Sequence, residues 1–152
     1  MTETRWFMRL IKHAHITFKE NMESVKEDYL DWKIFNFVNS PRWIIEHIIT
    51  MQDWFAKFII DGEIGEYDES ISEPITPIET LIEDFTVQIK KWEEKFNGLN
   101  EEDLTEIREY KGFSLTLEEW IYEYIYHLMH HGGQISFIVQ TWKRKEREGI
   151  EN

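Results

Sequence analysis

Cysteine is absent from the 152 residues of the chain. That excludes a disulfide framework, a thiolate metal site and a cysteine nucleophile supplied by the chain itself. It fits a reducing, cytoplasmic setting, which is the expected location. Positive charge is also scarce: 17 Lys and Arg stand against 30 Asp and Glu, a net charge of −13. Phosphate backbones and anionic lipid surfaces attract basic proteins, so nucleic acid and membranes are not expected as partners. The one basic run, from Lys143 to Arg147, reads as a solvated helix end, where cations complement the C-terminal dipole. No apolar run approaches the ~18 residues of a membrane span. The stretch from Met1 to Arg5 lacks a signal-peptide layout. Prolines number only three and glycines seven.

Aromatic residues, by contrast, make up 15% of the chain, with seven tryptophans. Most are expected in a core of large side chains; an aromatic-walled pocket or a dimer face is the functional alternative. A chain of this length buries roughly 70% of its unfolded surface, so a single domain spanning residues 1–152 needs no staples.

Apolar residues recur at three- and four-residue steps in four segments. The first helix is expected from about Arg5 to Asp31, with Phe7, Ile11, Phe18, Met22, Val25 and Tyr29 on its stripe. Ser40-Pro41 is a start signal, a hydroxyl cap followed by proline at the first helical position. That second helix runs to about Ile60 and stops at Asp61-Gly62. Residues 61–75, rich in acidic residues and containing Gly62, Gly65 and Pro74, read as a loop. Thr76-Pro77-Ile78-Glu79 opens the third helix with a proline and capping-box spacing, and Asn97-Gly98 closes it. The segment from Leu99 to Ser114 is irregular: Asn100 is a candidate cap for a short helix, and Tyr110 to Phe113 looks extended. Thr116 and Glu119 form a second capping box that opens a last helix reaching about Arg147. The fold expected is all-α, a four-helix bundle with a long irregular crossover before the last helix.

The last helix carries His127-x3-His131. That spacing puts two imidazoles on one helix face, about one turn apart, where they can chelate one cation. Placing residues ~100° apart sets His131 in the apolar wall, His127 near its edge and His130 outside; His127 with His130 remains a sterically possible pair. On the second helix, His47 shares the arc of Trp43, Met51, Trp54 and Phe58 and points into the bundle. It is the candidate third ligand. His13 and His15 lie about 200° apart on the first helix and read as surface or packing residues. Three imidazoles would leave positions on a zinc, nickel or iron(II) ion for water or substrate. Glu123, one turn before His127, is a candidate proton acceptor or outer-shell group. Trp43, Trp54 and Tyr124 are candidate pocket walls. Gln134 reads as a polar position. Gly132-Gly133 costs roughly 1 kcal/mol per glycine in mid-helix, accounted for either by a close approach of backbone or ligand or by a bend.

These residues resemble the DinB/YfiT-like metalloprotein superfamily (not the translesion polymerase that shares the first name). The family pattern is a tryptophan and histidine on the second helix and H-x3-H-x-G-Q on the last. Here these are Trp43-x3-His47 and His127-x3-His131-Gly132-Gly133-Gln134. The family commonly has arginine directly after the second histidine; this chain has Gly132. The resemblance implies a four-helix bundle with a divalent metal on His47, His127 and His131, and homodimers are common in such families. It implies a metal-dependent enzyme that activates water or a small-molecule thiol, S-transferase-like or hydrolase-like. With no cysteine in the chain, such a thiol comes from a cofactor or substrate. The alternative is a non-catalytic dimeric bundle in which the metal is structural or absent.

Overall fold

The computed structural model describes residues 3–63, 65 and 76–149. Four helices form the body: α1 (Glu3–Glu23), α2 (Pro41–Phe55), α3 (Ile78–Phe96) and α4 (Leu117–Glu148). A two-stranded antiparallel hairpin, β1 (Ile107–Tyr110) and β2 (Phe113–Thr116), precedes α4. Among the described residues no helix is long and apolar enough to cross a membrane.

Helices α2 and α4 start where local chemistry satisfies their free amides. Ser40 Oγ accepts from the Trp43 amide, with Pro41 in the first turn. Thr116 and Glu119 complete a reciprocal capping box at α4. The start of α3 differs from expectation. Pro77 itself is the cap residue, and the Ile78 amide is satisfied by Glu27 Oε2 at 3.2 Å, from a different part of the chain.

The first helix is shorter than its apolar pattern. It ends at Glu23, and a single 3-10 turn follows at Glu27–Tyr29. Ser24 Oγ turns back onto the Asn21 carbonyl, and the Tyr29 hydroxyl donates to the Ser24 carbonyl. Val25 and Tyr29 are still buried, so the pattern reports core contact across a break in the helix. After Phe55 the second helix widens into a π-helix, Ala56–Asp61, and stops at Gly62, whose φ of 71° suits glycine. The loop expected over residues 61–75 lies mostly outside the described residues.

Contacts fix the helix directions. Phe7 meets Tyr122, and Gly132 faces Phe18 and Asn21, so α1 and α4 run the same way. Phe55 packs on Tyr124 and Phe58 on Trp120, so α2 is antiparallel to α4. The Trp92 indole donates to the Gln52 carbonyl and Lys95 pairs with Asp61, so α3 runs with α2. The bundle is therefore up-down-down-up, unlike the simple up-down-up-down order. The core is one cluster running through all four helices, with Trp92, Tyr124, Phe7, Phe18, Phe58 and Phe85 among its largest side chains.

Candidate metal centre

The antiparallel contact of α2 with α4 brings His47 against the His127–His131 pair. Nε2 of His127 lies 3.2 Å from Nε2 of His47 and 3.1 Å from Nε2 of His131. Ligand atoms of all three residues lie within 4.8 Å of one another. Zinc–nitrogen bonds of about 2.0–2.1 Å at tetrahedral angles separate neighbouring nitrogens by about 3.3 Å, which matches. His130, the other possible partner, is exposed, stacks on Tyr126 and is outside the cluster.

The protonation pattern fits a cation better than a hydrogen-bonded triad. The Gln134 side-chain oxygen lies 2.6 Å from His131 Nδ1, which makes Nδ1 the donor and leaves Nε2 with a lone pair. A proton on His127 Nε2 serves one of its two neighbours and leaves the other contact without a hydrogen. Three lone pairs around one cation satisfy all of them. Burial pushes the His127 imidazole down to about 3, aided by the nearby His131, His47 and His130. Burial also lowers His131 to about 4, against the opposing effect of its Gln134 hydrogen bond. His47 is lowered by burial as well. All three are thus neutral at pH 7, the form that binds a metal.

Trp43, one turn before His47, stacks on its ring at 4.9 Å and 11°. The other two aromatic candidates sit farther off. Trp54 packs on Phe58 and Tyr110 and donates to the Gly65 carbonyl. Tyr124 is 1% exposed, stacked on Trp92 inside the core. Glu123 is exposed on α4, and no hydrogen bond or ion pair joins it to the histidines. Gln134, which reads from the sequence as a polar position, is brought onto His131 by the structure. Its i+3 position relative to His131 was the available signal. It also borders a cleft of about 250 Å³ walled by Ile34, Phe37, Ile44, Phe137 and Ile138.

Behind the cluster lies a second polar group that sequence patterning left as packing. His15 is 1% exposed. Its Nε2 is 2.6 Å from the Tyr124 hydroxyl and 3.2 Å from Gln52 Nε2. Both neighbours can donate, so Nε2 accepts and Nδ1 carries the hydrogen, buried and unpaired. Burial lowers this imidazole to about 3.

Three convergent imidazoles on facing, antiparallel helices are the kind of inward arrangement from which helical bundles build metal sites. A profile of the DinB superfamily matches residues 12–135, and the chain belongs to that superfamily. Its fold is similar to that of YfiT from Bacillus subtilis, described as a probable metal-dependent hydrolase with an unusual four-helix bundle topology. That likeness has a TM-score of 0.74 at 14% identity, covering 99% of this chain and 91% of YfiT. A DinB-like protein of Bacillus cereus gives 0.76 at 16% identity over 90% and 91% of the two chains. A second Bacillus subtilis DinB-like protein gives 0.72 at 20% over 89% and 92%. No curated protein matches the sequence.

Proposed function

We propose that this protein is a divalent-metal-dependent enzyme whose ion is held by His47, His127 and His131. The observation that carries the reading is the meeting of three neutral imidazoles, with His127 Nε2 3.1–3.2 Å from Nε2 of each of the other two and ligand atoms of all three within 4.8 Å of one another. Among the described residues no fourth histidine, aspartate or glutamate joins the group. Three protein ligands with open positions characterise catalytic sites, whereas structural zinc sites are closed by four. When bound, such an ion lowers the pKa of a coordinated water or thiol and supplies a nucleophile at neutral pH.

The chain's own residues hold and orient. Gln134 fixes the tautomer and ring angle of His131. Trp43 packs flat against His47 and limits its rotation. The cleft beside Gln134 offers an apolar seat for part of a small-molecule substrate. Hydrolysis and transfer of a small thiol to an electrophile are the two chemistries this arrangement serves. YfiT's description as a probable metal-dependent hydrolase supports the first.

Elemental analysis of tag-free protein tests the reading. About one equivalent of metal is expected in the wild type and in His130→Ala and Glu123→Gln, with loss in His47→Ala, His127→Ala and His131→Ala. Equal metal content in all the variants refutes the assignment. Metal-loaded protein is then assayed with ester or amide substrates, and with several thiols plus an electrophile. Turnover that disappears with the metal is the expected result.

A further inference from the structure

The cleft of about 250 Å³ beside Gln134 lies between the segment that leads into α2 and the second half of α4. Ile44 and Ile138, 1% and 2% exposed, form its floor, and Phe37 and Phe137, 88% and 63% exposed, form its rims. Phe35 stacks on Phe37 with ring centroids 5.4 Å apart and planes 4° apart, which braces that rim. Rings this exposed gain little from burial until something apolar covers them. No lining residue is charged, and the two polar side chains on the walls are carboxamides, Asn39 and Gln134. The Gln134 oxygen is committed to His131 Nδ1. The two N–H donors of its amide remain, and no hydrogen bond among the described residues engages them or the Asn39 amide.

We propose that this cleft holds the acyl part of a neutral ester or amide: an aryl ring or short alkyl chain on the Ile44–Ile138 floor, with the carbonyl oxygen accepting from the Gln134 amide. The proposal rests on the enzymatic reading above and specifies its substrate class. Size limits the occupant. An apolar cavity of about 150 Å³ accommodates benzene, whereas pockets that enclose a whole drug-sized ligand run to about 300–1,000 Å³. The cleft therefore takes one ring or a short chain, and the rest of the substrate lies outside it. Charge limits it further. The chain carries a net −13, and the walls offer no cation. Arg42, the cation at the start of α2, is engaged by Asp31 and Glu27. A carboxylate or phosphate in the cleft would lose water and gain no partner, which is costly. Hydrogen bonding then sets the direction. Gln134 both lines the cleft and bonds a histidine of the cluster. Its oxygen orients His131, and its nitrogen is free to donate. A carbonyl held by that nitrogen stands one amide group away from the imidazole cluster, with its apolar tail turned to the phenylalanine rims. Gln134 thus binds substrate as well as positioning a ligand.

Titration of isotope-labelled, chelator-treated protein with methyl phenylacetate, followed by amide NMR, tests the cleft without the metal. The side-chain amide signals of Gln134, identified by their absence in Gln134→Glu, are expected to shift together with the backbone signals of Phe37 and Phe137. Phenylacetate, the same ring with a charge, should bind at least about tenfold more weakly. Phe37→Ser and Phe137→Ser alter exposed side chains, keep wild-type circular dichroism and should each weaken ester binding about three- to tenfold. Gln134→Glu removes the N–H donors but keeps the acceptor for His131. It should retain metal and weaken ester binding about fivefold, the net effect of one hydrogen bond. Metal-loaded protein is then given esters of one alcohol, which water cleaves to acid and alcohol. From acetyl to hexanoyl, kcat/KM should rise about two- to fourfold per added methylene. No binding of the methyl ester, equal binding of phenylacetate, binding indifferent to Phe137→Ser and Gln134→Glu, or a kcat/KM flat across the acyl series overturns the proposal, even where metal-dependent turnover is found. Ester binding with the expected responses but no turnover by metal-loaded protein supports the acyl cleft and refutes the enzymatic reading, so the two fail separately.

Discussion

Gln134 decides which nitrogen of His131 is available. With its side-chain oxygen 2.6 Å from Nδ1, the imidazole cannot turn its lone pair away from His47 and His127 without losing that hydrogen bond. Outer-shell groups of this kind are worth 10–100-fold in metal affinity. Gln134→Leu is therefore expected to weaken metal binding by about that factor, measured by competition with a chromophoric chelator, while Gln134→Glu, which still accepts from Nδ1, retains most of it. Unchanged affinity in Gln134→Leu shows that the contact does not position the ligand. The cluster was legible in part: helical spacing puts His127 and His131 on one face and His47 on an inward arc, but leaves His127 with His130 open, and the structure groups His47, His127 and His131. Gln134's role was harder to read. A polar residue at i+3 also suits a solvated position, and only the ring orientation of His131 separates the two. His15 was opaque for a related reason. Its partners, Tyr124 and Gln52, come from two other helices, and no local pattern announces such a meeting.

At the scale of elements, signals built into a single turn were more reliable than apolar periodicity. Ser40-Pro41 and the Thr116–Glu119 box act through bonds inside one turn, so tertiary context hardly alters them. Thr116→Ala removes the hydroxyl that accepts from the Glu119 amide and is expected to cost about 1 kcal/mol of stability in urea unfolding. A change near zero shows that Glu119 alone holds the start of α4. Apolar periodicity, in contrast, records burial and not hydrogen bonding, so it carried the first helix past its real end at Glu23. The hairpin before α4 escaped for another reason. Its two-residue turn, Lys111-Gly112, has φ of 48° and 85°. Such turns are usually signalled by Asn-Gly or Asp-Gly, and lysine in the first position masks the pattern. The strands it joins are short, pairing Ile107 with Thr116 through Tyr110 with Phe113. They tie the crossover to the start of α4, where the Trp120 indole donates to the Arg108 carbonyl.

The whole molecule carries a conflict between burial and ionisation that pH exposes. His15, His127 and His131 sit in the metal-free fold with pKa values near 3, 3 and 4, against 6.5 for an ordinary imidazole. Each folded value lies below the unfolded one, so between these limits the unfolded chain binds more protons. The contribution of each neutral imidazole is intact above pH ~6.5 and is lost as pH falls toward 3 or 4. For His15, deep in the core, the loss between pH 7 and pH 5 is of order 2 kcal/mol. The histidines of the cluster add to it, less per residue because water reaches them. Metal binding opposes the same protons: it lowers the site imidazoles further and stabilises only the folded state. Urea midpoints of chelator-treated protein should therefore fall steadily from pH 7 to pH 5, and added metal should flatten the upper part of that fall. His15→Gln, which retains a polar group but cannot ionise, should shrink the slope in the metal-free protein and leave the metal-dependent difference in place. The two sources separate because one imidazole is sealed behind Tyr124 and Gln52 while the three others face a shared centre. A slope unchanged by His15→Gln places the titrating groups elsewhere and removes the buried histidine from the account.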